Sequence, residues 1–201
     1  MIASPQPPLT PEDYLQLEAQ SPIKHEYIDG EAYAMAGASD AHVTIALNLA
    51  SLLRSHMRGT SCRVYIADMK ARIEAHDRFY YPDIMVTCDP RDQETSTYKR
   101  YPKLIIEVLS DSTEAFDRGD KFADYQALDS LEEYVLINTR HQRVECFRRN
   151  QAGLWVLQYY TAETERFHLD SVEFSDTFAT LYEDVTLETT PTSPNQSPIQ
   201  P

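Results

Sequence analysis

Two carboxylates in this 201-residue chain sit where carboxylates are costly. Glu107 interrupts the run Leu104-Ile105-Ile106-Glu107-Val108-Leu109, which is apolar enough for a strand buried on both faces. A buried carboxylate there must be protonated, paired or bound to a cation. Asp83 follows Tyr81-Pro82 and precedes Ile84-Met85-Val86. Proline fits a strand only at its start or on an edge, so Asp83 belongs near a strand end. Carboxylates on neighbouring strand ends can converge on one hard cation, and Mg²⁺ takes one or two of them together with waters. The plainer alternative pairs Glu107 with a buried Lys or Arg and leaves Asp83 to cap a turn.

Lys121 is the cation of interest downstream, in a helical stretch with Asp117, Asp120, Asp124 and Tyr125. As a surface residue it would form an i,i+4 pair with Asp117 and little else. If the helix packs over the ends of the two strands, its ammonium could orient a water and offset charge on a pentavalent phosphate. Glu26, Glu31 and His42 are further candidates, as an additional acid or a phosphate contact. For Glu31 the competing reading is a solvated hairpin charge, and for His42 a structural role. Lys99, Arg100 and Lys103 lead into the Glu107 strand and are candidate DNA contacts. Arg140, His141, Arg143, Arg148 and Arg149 read as solvated surface, and Asp68 as a turn residue. Tyr80, Tyr81, Tyr98 and Tyr101 could stack on bases or simply pack.

The elements that must carry these residues follow from pattern. Thr10 caps a short helix with Pro11 in its first turn and Asp13 at the far end of a capping box; Pro22 stops it. Lys24 to Ile28 and Glu31 to Ala36 flank the hairpin turn Asp29-Gly30. Ser39 opens a longer helix with a stripe of Val43, Ala46, Leu47, Ala50, Leu53 and Met57. Strands are expected at Arg63 to Ile66, Met69 to Glu74 and Phe79 to Thr87, then a loop from Asp89 to Arg100. Lys103 to Leu109, a helix over Thr113 to Leu128 with Phe116, Ala123 and Leu128 inward, and Glu133 to Ile137 form a βαβ crossover, so the two strands are expected to be parallel. Arg143 to Arg148 and Leu154 to Tyr160 make a hairpin. Val172 to Phe174 reads as a last strand, and Ser175 to Tyr182 as a short helix. The sum is an α/β fold, a central mixed β-sheet flanked by helices.

Composition limits what such a fold can do. Apolar residues at 42% and charged residues at 25% are ordinary for one globular domain. Residues 10–185 are expected to form it, with disordered segments at 1–9 and 186–201, where Pro, Ser, Thr, Gln and Asn dominate. The N-terminus lacks the basic and apolar parts of a signal peptide, and no apolar run could span a bilayer. Cys62, Cys88 and Cys146 lack a CxxC spacing and read as reduced thiols, which fits a cytoplasmic protein. The net charge of −14 argues against affinity built on non-specific phosphate attraction, although a local basic patch could still grip DNA.

The run Tyr81-Pro82-Asp83, Ile106-Glu107-Val108-Leu109-Ser110, Asp117, Asp120-Lys121, Tyr125 and Glu133-Tyr134 resembles the Uma-two family of proposed endonucleases, which is abundant in cyanobacteria. The resemblance extends from about Thr10 to Tyr182 and takes in Lys24-His25-Glu26-Tyr27-Ile28-Asp29-Gly30-Glu31 and His42. It implies the restriction-endonuclease-like fold of the PD-(D/E)XK superfamily. It implies Mg²⁺-dependent hydrolysis of DNA, with Mn²⁺ as a substitute, Asp83 and Glu107 as metal ligands, and Lys121 as the catalytic lysine. The superfamily's lysine would fall at Leu109, so the resemblance implies that it has migrated to Lys121. A homodimer would suit an enzyme that cuts two strands. The rival from another class is a nucleic-acid-binding or interaction module that keeps the fold without cleaving, favoured by Leu109 and the acidic surface. A two-carboxylate glycosidase is set aside, because Trp155 stands alone where sugar-stacking residues would be needed.

Overall fold

Helix α1 (Pro11–Glu18) starts where a reciprocal box closes it: the Thr10 hydroxyl accepts from the Asp13 amide, and the Asp13 carboxylate accepts from the Thr10 amide. The computed structural model describes residues 8–187, so the expected disordered ends fall outside the described residues apart from their inner edges. One such edge is already part of the fold, since the Leu9 amide donates to the Gly30 carbonyl. Strands β1 (His25–Ile28) and β2 (Glu31–Ala34) pair antiparallel across Asp29-Gly30, both with positive φ as the tight hairpin turn requires. At Gly30 a Cβ would fall 2.5 Å from the Pro8 side chain, so this turn tolerates only glycine.

Helix α2 (Asp40–His56) is followed by β3 (Arg63–Ile66), β4 (Lys70–Ile73), β5 (Arg78–Tyr80), β6 (Ile84–Thr87), β7 (Tyr98–Lys99) and β8 (Pro102–Val108). Then come α3 (Glu114–Arg118), α4 (Asp120–Tyr125), β9 (Glu133–Ile137), β10 (Arg143–Arg149), β11 (Trp155–Thr161), β12 (Arg166–Leu169), β13 (Phe174–Thr177) and α5 (Phe178–Leu181). A six-stranded sheet runs β11-β10-β9-β8-β6-β3 and a five-stranded one β2-β1-β5-β4-β7, with β12 and β13 as a separate pair. The expected parallel pair is present as β8 and β9, inside an otherwise antiparallel six-stranded sheet.

Strand β8 is buried on both faces. Leu104, Ile106 and Val108 pack with Ile45, Leu49 and Leu53 of α2, while Ile105 and Leu109 pack with Phe122, Tyr125 and Tyr134. Side chains alternate along a strand, so Glu107 shares the second face, beneath α4.

Several expectations are corrected. Phe79 to Thr87 is two strands in two sheets, because Pro82 has no amide hydrogen to continue a ladder. The Thr113 to Leu128 helix breaks at Gly119 (φ −110, ψ −104). Its inward face is Asp117, Lys121, Phe122, Tyr125 and Leu128, whereas Ala123 is exposed. On α2 Ala50 and Leu53, with Met57 at its C-cap, are buried as expected, but Ile45 and Leu49 complete the stripe and Val43 and Leu47 stay outside. The Asp89 to Arg100 loop contains a 3₁₀ turn at Pro90–Gln93 and strand β7. Strand β12 had no counterpart in the expected elements.

Cys62 and Cys88 form a disulfide rather than two reduced thiols. They extend the β3–β6 register, in which Arg63 faces Thr87, by one position. Cys146 is free and buried. No helix among the described residues is long and apolar enough to cross a membrane.

Candidate active site

The chain crosses from the five-stranded to the six-stranded sheet at Tyr81-Pro82-Asp83. Ile84 faces Ile106 across β6 and β8, so one position further out Asp83 stands opposite Glu107. The Val108 amide donates to Asp83 Oδ2 at 2.7 Å, and the Asp83 amide makes a long 3.4 Å approach to Glu107 Oε2. His42, in the first turn of α2, brings Nε2 to 2.9 Å from Asp83 Oδ1. The Ser39 hydroxyl that caps this helix accepts from the His42 amide, which fixes the turn carrying the imidazole.

Glu107 is 3% exposed. Its Oε1 accepts from the Tyr125 hydroxyl at 3.1 Å and lies 3.0 Å from Lys121 Nζ. The same ammonium is 3.2 Å from Glu26 Oε1 and 3.5 Å from Asp117 Oδ1. Glu26 Oε1 also accepts from the Tyr81 amide, which ties β1 to the crossing segment.

Three carboxylates, Glu26, Glu107 and Asp117, thus surround one lysine, and Asp83 adjoins Glu107. Burial pushes the Glu107 carboxyl well above the usual carboxylate range. Lys121 pulls it back, and the charges on Asp117, Asp83 and Glu26 push it up again. Asp117 is likewise raised by burial, against the pull of Lys121 and a hydrogen bond from Thr113. Burial works to lower Lys121, but Glu107, Glu26 and Asp117 outweigh it and hold the ammonium well above the ordinary lysine value. The cluster therefore keeps its one cation, while its buried carboxyls hold their protons more tightly than free ones do.

This donor set fits a hard divalent cation. Its oxygens belong to carboxyl groups, and a bound cation would let the buried ones ionise. Among the described residues no three His, Cys, Asp or Glu side chains are arranged as a ready-made metal cluster. That is compatible with Mg²⁺, which keeps several waters and takes only one or two carboxylates from a protein.

Of the expected site residues, Asp83, Glu107, Lys121, Glu26 and His42 come together. Glu31 does not: it is exposed and accepts a hydrogen bond from the Tyr33 hydroxyl at 2.6 Å. Nor do the three basic residues. Lys99 is buried and donates to the Asp92 and Thr95 carbonyls. Arg100 pairs with Glu74 and Glu94, and Lys103 with Glu132. Arg100 and Lys103 border a different cleft, beside Arg91 and Asp129.

All four tyrosines have contacts within the chain. Tyr80 donates to Asp124 and Tyr81 to Glu18, both from buried rings. Tyr98 packs on Phe79, and Tyr101 lies under the Arg91 guanidinium. Asp117 and Tyr125 contribute more than their sequence context suggested. The i,i+4 spacing of Asp117 and Lys121, followed by Tyr125 at the next turn, was the available signal for both.

A family described as "Putative restriction endonuclease", Uma2, matches residues 11–180. The uncharacterized Synechocystis protein slr1290 is 38% identical over 180 residues, covering 90% of this chain and 94% of its own length. A second uncharacterized Synechocystis protein, sll1609, is 34% identical over 169 residues, covering 83% and 93% respectively. A crystal structure of a protein from Anabaena variabilis, described as a putative nuclease belonging to DUF820, superposes with a TM-score of 0.72. At 18% identity it speaks for the fold alone, over 89% of this chain and 100% of that one. The fold is restriction-endonuclease-like, and the chain belongs to the Uma2 family.

Proposed function

We propose that the protein is a Mg²⁺-dependent endonuclease that hydrolyses DNA phosphodiester bonds. The observation that carries this reading is the buried Lys121 ammonium held among Glu26, Glu107 and Asp117, with Asp83 opposite Glu107. The family description and the nuclease fold support the same class of chemistry.

Asp83 and Glu107 would hold the metal. When bound, it supplies charge neutralisation at the phosphate and a more acidic water. The chain's own residues do the rest. The Val108 amide and His42 restrain the Asp83 carboxylate, and Tyr125 restrains that of Glu107. Lys121 offers a fixed positive charge where negative charge grows on the phosphate, and its neighbouring carboxylates keep it protonated. Leu109, at the plain-motif position, packs in the core and takes no part. The support for Lys121 in its stead is the 3.0 Å contact with Glu107.

The test is cleavage of linear, supercoiled and single-stranded DNA by the full-length chain in Mg²⁺ and in Mn²⁺, beside Asp83→Ala. Metal-dependent cutting that the substitution abolishes is the expected result. No cutting of any form by the wild type would favour the non-cleaving binding module.

A further inference from the structure

The site opens into a cavity of about 540 Å³, within the size range of pockets that take one small ligand. Asp83, Glu107, Asp117 and Lys121 lie at its floor, with Glu107 and Lys121 almost wholly buried. One wall is of a different kind. Tyr33 and Met35 from β2 and the segment after it, Val43 and Leu47 from α2, and Ile66 at the end of β3 all line the cavity. All five are exposed, Leu47 at 59%. Single exposed apolar side chains need no explanation, but five that line one cavity with a charged floor do.

Cations are scarce there. The lining includes two lysines and no arginine. Lys24 is engaged with Asp68, and Lys121 with its carboxylates. A duplex displays its phosphates on the outside and is held chiefly by Lys and Arg. This cleft offers almost nothing of that sort. An unpaired nucleotide presents a flat apolar face that aromatic and aliphatic side chains bind irrespective of sequence. It can also be splayed so that its phosphate reaches a recessed floor.

We propose that the cleft takes an unpaired DNA strand, seating a base against the Tyr33–Leu47 wall while the adjoining phosphate reaches the cation that Asp83 and Glu107 would hold. The assignment rests on the nuclease reading above and narrows its substrate to single-stranded or locally opened DNA. Affinity then comes from base contacts, so its dependence on salt is shallow.

The test has a binding arm and a cleavage arm. Fluorescence anisotropy follows a labelled oligonucleotide, single-stranded or as the matching duplex, on full-length protein carrying Glu107→Gln so that bound DNA stays intact. The single strand is expected to bind at least about tenfold more tightly than the duplex. Adding Leu47→Glu or Tyr33→Ala should weaken single-strand binding by about tenfold, and both positions are exposed enough for the melting temperature to hold. In the cleavage arm, wild-type kcat/KM in Mg²⁺ should favour the single strand to a similar degree.

Equal binding and cutting of duplex, or wall variants with unchanged single-strand affinity, would overturn the assignment and leave the nuclease reading standing. Single-strand binding that depends on the wall, without cleavage of any DNA, would remove the nuclease reading and keep the base seat. Binding of neither form would end both. If Leu47→Glu instead dissociates a dimer in sedimentation velocity with single-strand affinity intact, the wall is a subunit interface and the proposal fails.

Discussion

Lys121 Nζ stands 3.0 Å from Glu107 Oε1 although helix α4 and strand β8 supply them separately, and both side chains are nearly inaccessible to solvent. This differs from a surface i,i+4 pair with Asp117, whose removal would cost well under about 1 kcal/mol. Deleting one partner of a buried ion pair leaves the other uncompensated, at a cost of roughly 3–5 kcal/mol. Lys121→Ala is therefore expected to lower both stability and turnover, the latter by about a hundredfold or more. Adding Glu107→Gln should return part of the lost melting temperature without returning activity. Full activity in Lys121→Ala would show that the ammonium has no catalytic part.

On the proposed reading, metal and pH act on the same carboxylates. Burial raises Glu107 and Asp117, so each binds its proton more tightly in the folded chain than in the unfolded one. Their stabilising contribution is complete below the ordinary carboxylate values of 4.5 and 3.8. It is lost as pH rises through the elevated folded values. Without metal, wild-type stability relative to Glu107→Gln should thus fall as pH rises through that window, opening a gap between the two proteins toward neutrality. Mg²⁺ should close the gap by stabilising the wild type. Melting curves across pH with and without metal would reveal this, and parallel curves for the two proteins would refute it. In calorimetry, Asp83→Ala should lose the Mg²⁺ or Mn²⁺ heat seen with wild type.

Lys99 is a folding residue. Its ammonium satisfies the Asp92 and Thr95 carbonyls from a buried position, and Lys99→Ala should cost about 2 kcal/mol or more. Arg100→Ala and Lys103→Ala break exposed or half-exposed pairs with Glu94 and Glu132 and should stay within about 0.5 kcal/mol of wild type. Chemical denaturation separates the three. A cleavage defect in Arg100→Ala at full stability would instead restore it as a DNA contact.

The Cys62–Cys88 bond joins residues 26 apart in sequence. Closing a loop of that length restricts the unfolded chain by about 3 kcal/mol. Reductant should lower the melting temperature accordingly, and thiol titration of the oxidised, denatured protein should find one reactive cysteine per chain, Cys146. Three reactive thiols would exclude the bond.

Legibility followed how local each signal was. The Thr10–Asp13 box, the Asp29-Gly30 turn and the β8–β9 crossover rest on neighbouring residues or on alternating apolar runs, and all appear as expected. Asp83 and Glu107 stood out because a carboxylate in an apolar strand conflicts with its surroundings. Apolarity finds only part of the inward face of the Thr113 helix: Leu128 is buried and Phe116 packs against the core, but Ala123 is exposed. That face is lined by Asp117 and Lys121, whose burial depends on charges arriving from β1 and β8. Glu26 was ambiguous for the same reason, since its partner lies in α4. The Cys62–Cys88 bond needed the β3–β6 pairing, which two scattered cysteines do not announce.

Pro82 sits at the seam between the two sheets. It stands where one ladder ends and the other begins, and the residue immediately after it is Asp83. The cluster draws Glu26 from the five-stranded sheet and Glu107 from the six-stranded one, with Asp83 at the seam. Neither sheet assembles the cluster by itself. A chain cut at this seam, or a folding intermediate with only one sheet formed, would lack it, so any activity that needs the cluster would arrive only with the completed fold.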